Sequence, residues 1–577
     1  MNKKKLTTLS FSVVPIEEIF MKLRVLSNRP RLRAFAQVFA VVSLIALVGS
    51  FSAFAQNGSI HFWLGNLVVS RSVYDNNPNN IQVGATLPPN CANTQGGCSP
   101  GATNDGSYPF VWNNALADGS FGITSKIFLD QITPAGALVN SLEVTNSSEQ
   151  GVPPTKDQMV TSFSSKSELA LNLSTDHNYL TFMGYIAPID AIDVSNSNTP
   201  GVVDPTNPVG ENSYRAVAQV DQHGKFRFTE TNAYSGNNGR AAILNNIGGA
   251  NLIYTAGNAG NGANPQPDGI IIGAGAQIID PEVKAEVAQS PGTPTPVASF
   301  NITELGAPHD KIGKDDNFRG LTIFDNVVYY TKGSGSNGVN TVYFVDTTGQ
   351  ACPSTSATPG IGLPQSSASL PASGLPYDPA VLQTEGLVPN NLCILKGFPS
   401  TLNSKLKTKT TAYPFGLWFA NATTLYVADE GDGVLADTGK TPAGLQKWVF
   451  DSSKQTWEMV YTLQKGLDLG VQYSIPAPYP TGNNSATGLP WAPETDGLRN
   501  ITGHVNGDGT ATIYGITSTV SGNGDQGADP NRLVAITDTL SATTLPDTES
   551  FTTLRTAGYG EVLRGVSWAP GTKQLSQ

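Results

Sequence analysis

The chain has 577 residues, with 60 Gly, 39 Pro, only 14% charged residues and a formal charge of −11. So much Gly and Pro with so little charge argues against long amphipathic helices and for many short strands joined by turns. The acidic balance disfavours nucleic acid and anionic membrane surfaces as partners.

The first 55 residues read apart from the rest. From Met21 a basic stretch (Lys22, Arg24, Arg29, Arg31, Arg33) precedes the apolar run Ala34–Phe51 and the small-residue site Ala53-Phe54-Ala55. This is the pattern of a secretory signal peptide cut before Gln56, with Met1–Phe20 as a mis-assigned start. The alternative is an N-terminal membrane anchor; after cleavage no membrane span is expected. Eight Lys/Arg and two Asp/Glu fall in this leader, so residues 56–577 hold 26 basic and 43 acidic side chains, a formal charge of −17. Cys91, Cys98, Cys352 and Cys393 are read as two disulfides of an exported chain. Cys91–Cys98 would be a local clip, and Cys352–Cys393 would fasten the Pro/Ser/Gly-rich excursion between them.

After the leader, Ser59–Tyr74 supplies the first strands, residues 75–122 a polar loop, and Lys126–Thr145 a hairpin about Pro134-Ala135-Gly136. One phrase then recurs: an apolar strand, a short polar turn, and a second strand often carrying Tyr. Its copies are Glu168–Tyr185, Arg240–Ala256, Phe318–Lys332, Gly416–Asp429 and Asn500–Thr517. In the clearest copy, Leu321 and Ile323, then Val327 and Tyr329, alternate on either side of Asp325-Asn326, the signature of a tight hairpin. A sixth copy is divided between the chain ends, Leu563–Trp568 and Asn66–Arg71.

Repeats of roughly 65–95 residues with about four short strands each are the pattern of β-propeller blades. The expected fold is all-β, a single propeller domain over 56–577 with six four-stranded blades. A degenerate seventh blade within 257–317 is the alternative. N- and C-terminal strands would share a blade, which leaves no open sheet edge. With strands named A to D from the centre outward, the A–B turns are short in every copy. The long segments are B–C (75–122, 188–212, 429–443, 521–531) or D–A (146–165, 305–317, 397–413, 464–497) connections, which leave an up-and-down blade on one face. That loop-rich face is the expected binding face.

Arg240, Arg319, Arg499 and Arg564 occupy near-equivalent places at the entrance to A strands. Carboxylates lie just upstream (Asp315, Asp316, Glu494, Asp496, Glu561), and His309 and Asp310 precede the fourth A strand. Guanidiniums and carboxylates converging at a channel mouth suit an anionic or sugar-like ligand. The same carboxylates with His309 suit Ca²⁺ or a transition metal for hydrolysis. The structural alternative is a salt-bridge ring that fixes the blades. Asp429 and Asp432, on the turn Asp429-Glu430-Gly431-Asp432-Gly433, form a second Ca²⁺ candidate or else a solvated acidic turn. Trp112 and Trp491 fall in loops and are candidate ligand contacts, whereas Trp418 and Trp568 fall inside strands and read as core. The chain has no Gly-x-Ser-x-Gly elbow, His-Glu-x-x-His, Walker loop or dinucleotide fingerprint.

The phrases Phe318-Arg-Gly-Leu-Thr-Ile-Phe-Asp-Asn-Val-Val-Tyr-Tyr and Thr424-Leu-Tyr-Val-Ala-Asp-Glu-Gly…Gly444-Leu-Gln-Lys-Trp-Val-Phe resemble secreted bacterial β-propellers of the NHL and YVTN repeat types. The resemblance implies architecture and export but no reaction, since such proteins range from binding modules to lyases and hydrolases. The functional expectation is an exported, monomeric propeller that binds a small molecule, a saccharide or an envelope protein through its loop-rich face. The alternatives are a Ca²⁺-assisted hydrolase or lyase with carboxylates at the channel mouth, and a structural protein of the cell envelope.

Overall fold

Local turn chemistry sets the first level of structure. Asp325 and Asn326 adopt φ of 46° and 60°, the left-handed pair that a two-residue hairpin needs and that Asp and Asn tolerate best. The flanking strands then pair in register, Leu321 opposite Tyr330 and Phe324 opposite Val327. The computed structural model describes residues 61–74, 123–144, 158–162, 168–191, 194–199, 213–231, 233–258, 275–281, 296–300, 317–333, 338–352, 360–371, 392–402, 412–435, 442–483, 488–521 and 529–573.

β1 (Leu67–Val73), β2 (Thr124–Ile132), β3 (Leu138–Val144), β4 (Gln158–Ser162), β5 (Asn172–Leu173), β6 (Tyr179–Ala187), β7 (Tyr214–Asp221) and β8 (Phe226–Thr231) share one sheet. β9 (Gly239–Asn245), β10 (Leu252–Gly257), β11 (Ala276–Ile279) and β12 (Pro296–Phe300) form the next. β13 (Gly320–Phe324), β14 (Val327–Lys332), β15 (Thr341–Val345), β16 (Ile361–Gly362) and β17 (Leu392–Leu395) make a five-stranded sheet. Two further sheets hold β18 (Pro414–Asn421), β19 (Thr424–Asp429), β20 (Gly444–Asp451) and β21 (Thr456–Leu463), and β22 (Glu494–Val505), β23 (Thr510–Val520), β24 (Arg532–Thr539) and β25 (Thr552–Thr556). The last strand, β26 (Glu561–Trp568), returns to the first sheet, which thereby has nine strands. Among the described residues no helix is long and apolar enough to cross a membrane.

The sheets form a propeller-like ring. β26 touches β5, β5 and β6 touch β9, β9 touches β13, β13 touches β18, β18 touches β22, and β22 returns to β26. Four sheets stand apart as blades, in place of the six or seven expected. The remaining strands merge because β4, in a segment expected to be a loop, pairs with both β2 (Thr124 opposite Ser162) and β6 (Val160 opposite Tyr185). Its Met159 and Val160 are fully buried, so apolar burial draws this connection into the sheet.

The two chain ends close the ring. β1 lies between β26 and β2, with Leu67 opposite Trp568 and Ser70 opposite Gly565. Arg71 clasps all three strands. Its Nε and Nη2 donate to Asp130 at 2.7 and 3.1 Å, and its Nη1 donates to Glu561 at 2.6 Å. Asp130 is fully buried and also receives Arg555 at 3.2 Å.

Neighbouring inner strands are riveted by hydroxyls. Ser70 Oγ accepts from Gly565 N at 2.8 Å and donates to the Leu169 carbonyl at 2.7 Å. Thr331 Oγ1 repeats this, accepting from Gly320 N at 2.9 Å and donating to the Phe415 carbonyl. The backbones approach so closely that a Cβ on Gly416 would collide with the Arg499 carbonyl, and one on Gly565 with the Leu169 carbonyl. Farther out, a buried polar cluster joins the sheet of β18–β21 to that of β22–β25. Lys447 Nζ lies 2.9 Å from Asp538 Oδ2, both side chains fully buried, and the Tyr461 and Tyr426 hydroxyls donate to the same carboxylate. Burial, then the neighbouring Asp538, push the Glu549 carboxyl up to about 7.

These contacts set two expectations for stability. Arg71→Met leaves the buried Asp130 carboxylate with Arg555 and the Ser141 hydroxyl and is expected to cost about 3–5 kcal/mol, read as a lower denaturant midpoint. Lys454→Met, at the exposed pair with Glu458, should leave the midpoint unchanged. Glu549 has a folded pKa of about 7 against an ordinary 4.5, so its contribution to stability is present below the lower value and is lost as pH rises through the upper one. Glu549→Gln should therefore raise the melting temperature at about pH 8.5 but not at about pH 5, as checked by calorimetry.

Candidate functional site

Several inner strands carry an extra residue near their starts. Arg240 stands unpaired between Gly239 and Ala241, which face Gly257 and Ala256 of β10. Arg564 is inserted likewise between Leu563 and Gly565. In β22 two residues, Arg499 and Asn500, oppose the single Ile516. Such bulges bend a strand and re-aim the side chain of the extra residue.

Together with Arg319, just before β13, these arginines form a charged tier. Arg240, Arg319, Arg499 and Arg564 are each at most 4% exposed. Glu430, on the turn after β19, accepts from Arg499 Nε at 3.2 Å and forms an ion pair with Arg319, whose Nε lies 3.3 Å from Oε1. Arg240 Nη1 donates to the Phe318 carbonyl at 2.7 Å and to Asn317 Oδ1. Arg564 Nε donates to Ser72 Oγ at 3.0 Å, and its Nη2 to the Ser162 carbonyl at 3.3 Å. Glu168, also buried, accepts from Thr161 Oγ1 at 2.7 Å, from Ser162 N at 3.1 Å and from the Tyr185 hydroxyl. Arg215 is fully buried, and its guanidinium donates to the Ser213, Ser195 and Asn237 carbonyls. Burial, then the Arg319 charge, hold Arg240 well below the usual guanidinium range; burial lowers Arg215 to about 10 and raises Glu168. The expected quartet is therefore brought together, enclosed and bonded within the ring. Glu168, Glu430, Arg215 and Tyr185 belong to the same network and were not singled out from sequence; Glu168 opens its repeat and Glu430 sits in the acidic turn.

The other candidates divide. Glu494 and Asp496 begin β22, and burial raises both carboxyls, Asp496 to about 7. Asp429, fully buried, is likewise pushed up to about 7, although Gly431 N, Tyr413 N and Gln446 Nε2 all donate to it. Asp432 Oδ1 accepts from Val434 N at 2.9 Å. Glu561 lies at the seam with Arg71 rather than in the tier. Trp491 is 3% exposed, and its carbonyl accepts from the Tyr479 hydroxyl. Cys352 and Cys393 form a disulfide with Cα atoms 6.0 Å apart. Trp112, His309, Asp310, Asp315, Asp316, Cys91 and Cys98 lie outside the described residues. Among the described residues no group of three or more His, Cys, Asp or Glu is arranged to hold a metal ion.

A cavity of about 230 Å³ lies at the other end of the inner strands, where the short A–B turns are. Thr322, Thr502, Ser567 and Ile243 line it, each three residues beyond an arginine of the tier, together with Asn172 of β5 and Trp418 of β18. Ser174, Thr175, His177, Ile247 and Asn326 come from the turns themselves. No Asp, Glu, Lys or Arg is in the described lining, and burial lowers the His177 imidazole, which keeps it uncharged at neutral pH. Thr502 and Ser567 are 8% and 4% exposed, and within the described residues neither their hydroxyls nor that of Thr322 makes a hydrogen bond. Trp418 is stacked on Tyr426 at 5.8 Å, with Gly503 against its ring. This mouth is opposite to the loop-rich one that segment lengths favoured. The signal that could have found it is the polar residue three places after Arg319, Arg499 and Arg564.

No family model matches the chain, and no curated protein matches it. Similar solved structures include an acylaminoacyl peptidase from Pyrococcus horikoshii, with 8% identity over 75% of this chain and 48% of that one at a TM-score of 0.27. A putative phosphatase from Bacteroides thetaiotaomicron has 11% identity over 75% and 82%, with a TM-score of 0.29. The hemagglutinin-neuraminidase ectodomain of parainfluenza virus 5 has 12% identity over 95% and 98%, with a TM-score of 0.23. The chain spans about half the length of the peptidase. Scores this low carry no functional argument, and the fold rests on the sheet topology itself.

Glu430→Gln removes the carboxylate shared by two buried guanidiniums. The expected loss is about 3–5 kcal/mol of stability, measured by denaturant unfolding, because both cations are left enclosed without it.

Proposed function

We propose that this chain is an exported β-propeller binding module that holds a small, uncharged, hydroxyl-bearing molecule of about monosaccharide size in its axial cavity. The observation that carries this reading is the set of hydroxyls on Thr322, Thr502 and Ser567. They come from three different strands, line one space, and make no bond inside the described protein. These hydroxyls stay open to the cavity, so several converging on one space are free to bond the polar groups of a ligand there. The absence of ionic side chains from the described lining argues for an uncharged ligand, since a charged one would be desolvated without a counter-ion. The volume falls below the roughly 300–1,000 Å³ of drug-sized pockets, which limits the ligand to a single small ring or its equivalent.

Two features support the wider reading. The leader pattern and the Cys352–Cys393 disulfide both suit an oxidising, extracytoplasmic setting. We read the nine-stranded sheet as two blades zipped together by β4, which makes a six-bladed ring in which every inner strand gives one side chain to the cavity level: Asn172, Ile243, Thr322, Trp418, Thr502 and Ser567.

The test is calorimetric titration of the full chain with neutral monosaccharides, disaccharides and polyols beside their carboxylated or aminated counterparts. Binding of an uncharged compound is expected, with affinity reduced about tenfold or more in the double variant Thr502→Val, Ser567→Ala, which keeps the shape and removes two hydroxyls. Failure of every uncharged compound to bind, or equal binding by the variant, would overturn the reading.

A further inference from the structure

The acidic turn after β19 holds a second feature, independent of the cavity. Asp429 and Glu430 are already engaged, the first by three N–H donors and the second by Arg319 and Arg499. Asp496, on β22 of the adjoining sheet, is 1% exposed, and its Oδ2 accepts from Gly433 N at 2.8 Å. Its other oxygen, Oδ1, is buried without a hydrogen-bond partner, and so is Oδ2 of Asp432. The turn and β22 meet here, Asp432 standing on the turn and Asp496 on the strand. Gly431 and Gly433 flank Asp432 with φ of 81° and 73°, and a Cβ on Gly431 would run into the Asp496 carboxyl group.

We infer that a hard divalent cation, Ca²⁺ in preference to Mg²⁺, bridges Asp432 Oδ2 and Asp496 Oδ1 and so fastens the sheet of β18–β21 to that of β22–β25. Carboxylate oxygens are the ligands such cations take, and Ca²⁺ tolerates the irregular shell that two carboxylates, main-chain oxygens and water would make, whereas Mg²⁺ demands a near-octahedral one. With only two carboxylates in the shell, the affinity belongs with extracellular modules, at a dissociation constant of about 10⁻⁴–10⁻³ M. The sequence pointed to this turn but paired Asp432 with Asp429; the unengaged partner is Asp496, more than 60 residues away.

The experiment is titration of the full chain, first stripped with EDTA, with CaCl₂ and separately with MgCl₂, together with melting curves in EDTA and in about 10 mM CaCl₂. The expected result is one saturable Ca²⁺ per chain and a melting temperature about 1–3 °C higher in Ca²⁺. Both should be lost in Asp496→Asn and in Asp432→Asn and kept in Asp508→Asn, at a distant turn. In EDTA, Asp496→Asn should melt no lower than the parent chain, because an amide there relieves the crowding of carboxylates; this separates loss of a ligand from loss of structure. Asp432, on the turn itself, provides the reading should the buried variant fail to fold. No saturable uptake, tighter uptake of Mg²⁺, or Ca²⁺ uptake unchanged in both variants would overturn the inference.

Discussion

A ring of sheets holds only if its first and last members share hydrogen bonds, and here that sharing is done by one seven-residue strand. β1 is paired on both sides, with β26 from the far end of the chain and with β2. An antiparallel strand inserted in this way leaves no free edge at the seam. Arg71 adds direction to the pairing. Its guanidinium reaches Asp130 on one neighbour and Glu561 on the other, so the strand cannot slip by one residue without turning this charge away from both. Everything along the axis depends on that closure, because the inner strands touch one another only when the circle is complete.

The bulges link closure to chemistry. An extra residue at Arg240, Arg499 and Arg564 lets a charged side chain meet others at the hub while the strand continues in register beyond it. Burying guanidiniums is costly unless they are paired and bonded. The ring meets that cost with Glu430, Glu168 and a set of main-chain carbonyls. Small residues after the arginines then allow close approach of the next strand, as at Gly565 against Leu169. The same local geometry therefore fixes both the spacing between sheets and the orientation of the strand residues that run on toward the A–B turns.

Period-two alternation, Asp-Asn turn chemistry and a divided repeat made the hairpins, the all-β class and the terminal seam legible in the sequence. The equivalence of the four arginines was also legible, because they recur at the same place in the repeat. Their partners were not, since Glu168 and Glu430 reach them through the closed ring and not through chain proximity. The merging of two expected blades was hidden because Gln158–Ser162 is too short to announce itself as a strand; its pairing with β2 and β6 is decided by burial of Met159 and Val160. The cavity was hidden for a different reason. Strict alternation puts residues three apart on opposite faces, so Thr502 and Ser567 share a side with Arg499 and Arg564 only once the bulge has added its extra residue. Loop lengths pointed to the opposite mouth, and most of the long segments that argument used lie outside the described residues.

The two ends of the axis differ in a way that the repeat itself makes plain. Near the starts of the inner strands the copies are alike: four carry Arg, and the residue after it is Gly, Ala or Asn. Three places on they diverge, to Asn172, Ile243, Thr322, Trp418, Thr502 and Ser567. A position that must support its neighbours through charge and close packing tolerates little change from one strand to the next. A position that faces a cavity is released from that requirement, and its side chains can differ from strand to strand to give one wall hydroxyls and an amide and another an apolar surface. On this argument the charged tier is the rigid base that a binding site needs, and the uncharged level above it is where the ring's specificity would be set.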